Sequence, residues 1–174
     1  MELDDAVELI TPALRPSQAG KVWADLGSGD GLFARALATL LGSGSTIHAV
    51  DRSRETIESS FDGNSIVFHQ LDFNEDILPF AQLDGILMAN SIHFVKDKLT
   101  LLSRLRNLLR KDGQLLIVEY ELDKGNAWVP HPVPRASLEA QLAESGFKKI
   151  RLIGERQSIY GGQRMYACVA LNGE

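Results

Sequence analysis

One cysteine, Cys168, is the only thiol in the 174-residue chain. No internal disulfide and no cysteine metal cluster can therefore be built. Cys168 falls in the apolar run Met165-Tyr166-Ala167-Cys168-Val169-Ala170-Leu171, which reads as a strand with the thiol as a small packed side chain rather than a nucleophile. A run of Lys and Arg able to follow a phosphate backbone is also missing. The 18 basic and 23 acidic residues are interspersed and the formal charge is -5, which argues against duplex DNA or RNA as a partner but leaves a tRNA or protein acceptor open. No apolar stretch reaches membrane-spanning length, and Met1-Glu2-Leu3-Asp4-Asp5 is acidic where a secretion signal is basic. A soluble, cytoplasmic protein with no membrane association is expected. Repeats, low-complexity stretches and internal linkers are lacking too.

What remains is an ordinary globular composition, 44% hydrophobic and 24% charged, enough for one domain. Hydrophobic pattern and turn residues alternate along it. Residues 3–14 predict an amphipathic helix with Leu3, Val7, Ile10 and Leu14 on one stripe, shortened or kinked by Pro12 and ended at the latest by Pro16. Strands are expected at 22–26, 46–50, 65–71, 83–89 and 114–120, and helices at 32–41, 54–61 and 98–109. The turn Lys111-Asp112-Gly113 closes the last of these helices. Ser137 is expected to cap a helix running to about Ser145, with Gly146 just beyond it. Two final strands, 148–155 and 164–171, flank a Gly161-Gly162 turn and should pair antiparallel. The expected fold is α/β: a doubly wound, mostly parallel sheet with a C-terminal antiparallel hairpin and helices on both faces.

In such a sheet ligands bind beyond the carboxyl ends of the strands. After the first strand comes Asp25-Leu26-Gly27-Ser28-Gly29-Asp30-Gly31, a turn whose alternate glycines let a ligand approach the backbone. A dinucleotide fingerprint would place its third glycine where this chain has Leu32, so the spacing speaks against a nucleotide-dependent oxidoreductase. Asp51, closing the second strand, could accept from both hydroxyls of a ribose or could cap the segment after it. Asp72, after the third, could accept from an adenine amino group or serve only a turn.

Taken in order, these segments resemble the seven-stranded class I S-adenosylmethionine (SAM)-dependent methyltransferases. The likeness extends through Asp84-Gly85-Ile86-Leu87-Met88-Ala89-Asn90 and Lys111-Asp112-Gly113-Gln114-Leu115, and covers the chain from about Lys21 to Leu171. It implies a seven-stranded sheet, with residues 21–174 as the core domain and residues 1–20 as an N-terminal helix able to serve as a lid. It implies SAM as cofactor. Gly27, Gly29, Gly31 and the backbone around Leu26 would hold the methionine part, and Asp25 its amino group through water. Asp51 would take the ribose hydroxyls, Arg52 would lie beside the adenine, Asp72 would face its amino group and Phe73 its ring; Asn90 would border the methyl donor.

His93, in Asn90-Ser91-Ile92-His93-Phe94-Val95, is the candidate catalytic residue, able to contact the acceptor or act as a base. The blander reading, a histidine that shapes the pocket, is preferred, since methyl transfer from a sulfonium needs little beyond alignment. Glu119-Tyr120-Glu121 and the Pro-rich stretch holding Trp128 and His131 are further candidates for the acceptor side, or for loop packing; His48 and His69, inside strands, read as structural. The expected activity is methyl transfer from SAM to a small molecule. The rivals are a SAM-binding sensor or non-catalytic subunit, and a methyltransferase acting on protein. With little chain to spare for a substrate lid, the pocket is expected to be open, completed by a second subunit, or fitted to a large acceptor.

Overall fold

The strands and helices follow from where the apolar runs fall. A computed structural model describes residues 1–14, 19–158 and 162–173. The helix α1 (Leu3–Ile10) gives way to a 3₁₀ turn (Thr11–Ala13) that takes Pro12 into its first positions. Pro16, and Gly161 of the expected Gly161-Gly162 turn, lie outside the described residues. Then follow β1 (Val22–Leu26), α2 (Leu32–Leu40), β2 (Thr46–Asp51), β3 (Ser60–Phe61), β4 (Asn64–Gln70) and β5 (Leu83–Ala89). A 3₁₀ turn (Ile92–Phe94) leads to α3 (Lys98–Leu108), β6 (Leu109–Tyr120), α4 (Arg135–Glu144), β7 (Lys148–Gln157) and β8 (Arg164–Leu171).

The sheet order is β3-β4-β2-β1-β5-β6-β8-β7. From β4 to β6 the strands are parallel, and β8 and β7 close the far side antiparallel. The chain winds outward from β1 in both directions, so the crevice lies between the carboxyl ends of β1 and β5. One face is packed with α1 and α2 around Trp23, Leu37, Ile47 and Leu116, the other with α3 and α4 around Ile86, Leu102, Leu138 and Tyr166. At Gly85 the glycine serves packing: the Trp23 indole of the adjoining strand lies where a Cβ would be, 2.4 Å away. No helix among the described residues is long and apolar enough to cross a membrane.

Several expectations need correction. The helix expected over 54–61 does not form. That stretch has only Ile57 and Phe61 to face a core, and the β-branched pair Thr56-Ile57 and Ser59-Ser60 disfavour helix. Instead Asp62 and Gly63, both at positive φ (47° and 76°), make a two-residue hairpin turn that sets Ser60–Phe61 against Asn64 and Ser65. The sheet thereby gains an eighth, very short strand beyond the seven expected. The residues between β4 and β5 are likewise non-helical. Helix α4 begins at Arg135, with Pro134 rather than Ser137 at its cap position. Lys111-Asp112-Gly113 does not end a helix but lies inside β6, as an irregularity with Asp112 at φ 62°.

Candidate active site

The glycine turn after β1 is held by its neighbours. Gly27 and Ser28 N–H both donate to the Val50 carbonyl, at 2.8 and 3.0 Å, and Gly29 N–H donates to Asp51 Oδ2 at 2.9 Å. Gly27 has φ 81° and a Cβ there would stand 2.4 Å from Ser91 Cβ, so no other residue fits. Ser91 in turn donates its hydroxyl to the Leu26 carbonyl at 2.6 Å, tying the turn after β5 to the end of β1. Gly31, at φ 82°, starts α2 with Ile57 packed where its Cβ would be.

A cleft of about 300 Å³ opens beside this turn. Of the residues singled out in the sequence it brings together Gly27, Asp51, Arg52, Asp72, Phe73 and Asn90. Asp51 also accepts from Ser53 N–H at 2.9 Å, and Asp72 from Asn74 N–H at 2.9 Å, so each carboxylate is aimed by the backbone that follows it. The Phe73 and Asn74 carbonyls are clasped by the Arg104 guanidinium. Gly29, Gly31, Leu26 and Asp25 lie outside the cleft lining. Gly29 and Gly31 shape the turn, and Leu26 is buried in the core.

Asp25 is fully buried and neither carboxylate oxygen has a hydrogen-bond partner. Burial, with the Asp51 charge adding to it, pushes its carboxyl up to about 7. Asn90, held in the left-handed region at φ 53°, likewise has a buried Oδ1 without a partner. Unsatisfied buried acceptors at the ends of adjacent strands are a strain that a donor-bearing ligand would relieve.

On the other side of Asn90 lies a second, open cavity of about 490 Å³, walled by His93, Tyr120, Asn126, Trp128 and Gln163. His93 is buried, and its Nδ1 lies 2.9 Å from both oxygens of Glu119. Glu119 is fixed in turn by the His93 and Tyr120 N–H groups, at 3.3 and 3.1 Å. Lys98, buried at the start of α3, donates to the Val95 and His131 carbonyls, both at 2.8 Å, clasping the His93 turn to the Pro-rich loop. Burial pulls the Lys98 ammonium below its usual range, against the pull of Glu119.

Ser91, Phe94 and Lys98 were not singled out in the sequence. A signal existed for Glu119, the one charge ending the apolar run Leu115-Leu116-Ile117-Val118; Lys98 looks there like any helix-surface lysine. His48 and His69 stay away from both cavities. They meet each other across β2 and β4, Nδ1 to Nε2 at 3.0 Å, beneath Phe80.

A family model for the methyltransferase domain matches residues 24–115, more than half of the chain. No curated protein sequence matches. Among solved structures, the YcgJ protein of Bacillus subtilis shares 12% identity at a TM-score of 0.75, over 98% of this chain and 99% of that one. The phosphoethanolamine N-methyltransferase 2 of Haemonchus contortus, in complex with phosphomonomethylethanolamine and S-adenosylhomocysteine, shares 14% at 0.76; 98% of this chain covers 53% of it. The 1,6-didemethyltoxoflavin-N1-methyltransferase of Burkholderia thailandensis, with bound 1,6-didemethyltoxoflavin and S-adenosylhomocysteine, shares 20% at 0.72, over 99% and 78%. At such identities the structures speak for the fold, and the matched segment speaks for the family. The chain belongs to the methyltransferase domain family, on the Rossmann-like fold of class I SAM-dependent methyltransferases.

Proposed function

We propose that the cleft binds SAM and that the protein transfers its methyl group to a small molecule held in the cavity beyond Asn90. One observation carries this reading: residues from the ends of β1, β2, β4 and β5 converge on a single cleft with the donor and acceptor types that SAM requires. The buried groups fit as well. The orphaned carboxylate of Asp25 and the Asn90 Oδ1 are acceptors suited to an ammonium group, and Gly27 and the adjoining Leu26 backbone offer a wall without side chains. Asp51 keeps lone pairs for ribose hydroxyls beyond those used by Gly29 and Ser53. Arg52 and Phe73 flank the adenine position, and Asp72 takes its amino group. Gly29 and Gly31 contribute by shaping the turn.

Bound SAM supplies an electrophilic methyl group on a sulfonium. The chain's own part is to align donor and acceptor and to limit water between them, with Asn90 shared by both cavities. Met1 borders a small recess beside Asn90 and Tyr120, which supports a role for residues 1–20 in covering the acceptor side.

Calorimetric titration with SAM and with S-adenosylhomocysteine tests the cofactor, and labelled SAM with a panel of metabolites tests turnover. Saturable binding of both and label transfer are expected. Binding without transfer to any metabolite or lysate protein would favour a non-catalytic SAM-binding role, and absence of binding would end the proposal.

A further inference from the structure

The acceptor cavity contains a histidine held in one orientation by a buried carboxylate. Nδ1 of His93 faces both oxygens of Glu119 and a carboxylate accepts, so Nδ1 is the donor of the pair. That leaves Nε2 with a free lone pair, and it has no hydrogen-bond partner among the described residues. His93 borders the cavity, which its neighbours Tyr120 and Trp128 make aromatic; Asn126 and Gln163 make it polar but uncharged.

The other titratable groups around the pair are Lys98 at the start of α3 and Tyr166 on β8, both within reach of the Glu119 charge, and Tyr120, whose ring lies 6.4 Å from that of His93 in the cavity wall. Tyr166 donates to the Val133 carbonyl at 2.5 Å, and burial raises its phenol beyond its usual range, so it stays neutral. Lys98 is spent on two carbonyls. Of these only Tyr120 borders the cavity, and it brings a phenol, so His93 is the one imidazole or carboxylate on its walls among the described residues. A histidine that only filled space would not need a carboxylate bracketing Nδ1 with two equal contacts; that arrangement fixes the ring and leaves Nε2 as the nitrogen able to take a proton.

Resting on the assignment of the two cavities above, we propose that His93 is the general base of this enzyme, with Glu119 as its positioning residue, and that the acceptor is an uncharged aromatic alcohol. The acceptor's O–H bond breaks, the proton goes to Nε2, and the electron pair stays on oxygen, which becomes the nucleophile. Thioether and tertiary amine acceptors need no such proton removal. A phosphorylated or carboxylated acceptor would find no cation on these walls.

Para-nitrophenol, whose anion absorbs in the visible where the neutral form does not, serves as probe on the full chain, without SAM and at a pH well below its solution pKa. Bound to the wild type it should be mainly anion. In His93→Gln the anion-to-neutral ratio of bound phenol should fall by at least about tenfold, and in Glu119→Gln it should fall with affinity retained. Trp128→Ala, at a side chain 84% exposed and so without consequence for folding, should weaken binding severalfold while the bound phenol stays ionised. Wild-type binding of the neutral phenol, or no binding at all, would overturn the proposal even if the His93 and Glu119 variants did not fold. An anion signal unchanged in His93→Gln would overturn it as well. SAM calorimetry run in parallel separates this outcome from failure of the cofactor assignment, since the phenol measurements need no cofactor.

Discussion

The two cavities on either side of Asn90 are built in different ways. The cleft beside the glycine turn is a product of the sheet. Its residues come directly after β1, β2, β4 and β5, and its carboxylates are aimed by backbone N–H groups, those of Gly29 and Ser53 for Asp51 and that of Asn74 for Asp72. The cavity around His93 is a product of tertiary clasps: Glu119 with His93, 26 residues apart, and Lys98 with the His131 carbonyl, 33 apart. The first is set by strand order and should respond to changes in backbone shape. The second should respond to changes in a few buried polar side chains.

The largest effect expected is on the cleft. Gly27→Val combines a positive φ with a Cβ driven into Ser91. It should cost about 3 kcal/mol or more in stability and abolish SAM binding. A folded variant with normal SAM affinity by calorimetry would show that the turn has more room than these contacts allow.

Asp51→Ala tests the same side more gently. It should weaken SAM by about ten- to a hundredfold, the worth of hydrogen bonds to a charged group, and leave binding of para-nitrophenol unchanged. Equal losses for both ligands would mean that the two cavities are not independent.

Asp25 gives the comparison a pH axis. Its folded carboxyl titrates near 7 and its unfolded one near the ordinary value of 3.8. Between those values the native state holds the proton that the unfolded state has lost, so stability falls as pH rises through this window and is flat above it. Asp25→Asn should therefore raise the melting temperature of the ligand-free protein at pH 8, by an amount on the order of a few kcal/mol in stability, while weakening SAM. The gain should vanish at acid pH. At a pH below 7 the wild type should release a proton on binding SAM, read by calorimetry in buffers of different ionisation enthalpy. Identical heats after buffer correction would take Asp25 out of the site.

The smallest effect belongs to the clasp. Lys98→Met leaves the Val95 and His131 carbonyls without their donor, for about 1–3 kcal/mol, and should loosen phenol binding while SAM affinity stays within about twofold. A SAM affinity that fell as far as in Asp51→Ala would contradict the separation of the two regions.

The same division explains what could be read in the sequence. Asp25, Gly27, Asp51, Asp72 and Asn90 were legible because a strand ending announces itself locally, by an apolar run stopping at a polar residue. The parallel order and the final hairpin followed from the same alternation. The helix expected over 54–61 failed because charged residues around one isoleucine resemble a helix surface, and the competing signal, Asp62-Gly63, is a hairpin turn with only two residues to pair. Glu119 could be noticed but not assigned. That it meets His93, and that Lys98 turns inward to two carbonyls, depends on packing between segments whose spacing in the chain carries no period.

The missing helices after β2 and β4 have a consequence for motion. On one face that edge of the sheet packs on α2, with Ile57 and Phe61 beside it; on the other it is covered by Phe80 over the two histidines and by no helix among the described residues, whereas β5, β6 and β8 are sandwiched between helices. Amide hydrogens of β2 and β4 should therefore exchange with solvent through local opening, well before those of β6, which wait for global unfolding. Asp51 and Asp72 stand on this looser margin. A ligand bridging them to Gly27 would staple it to the rigid half, and the slowed exchange of β2 and β4 would record its arrival.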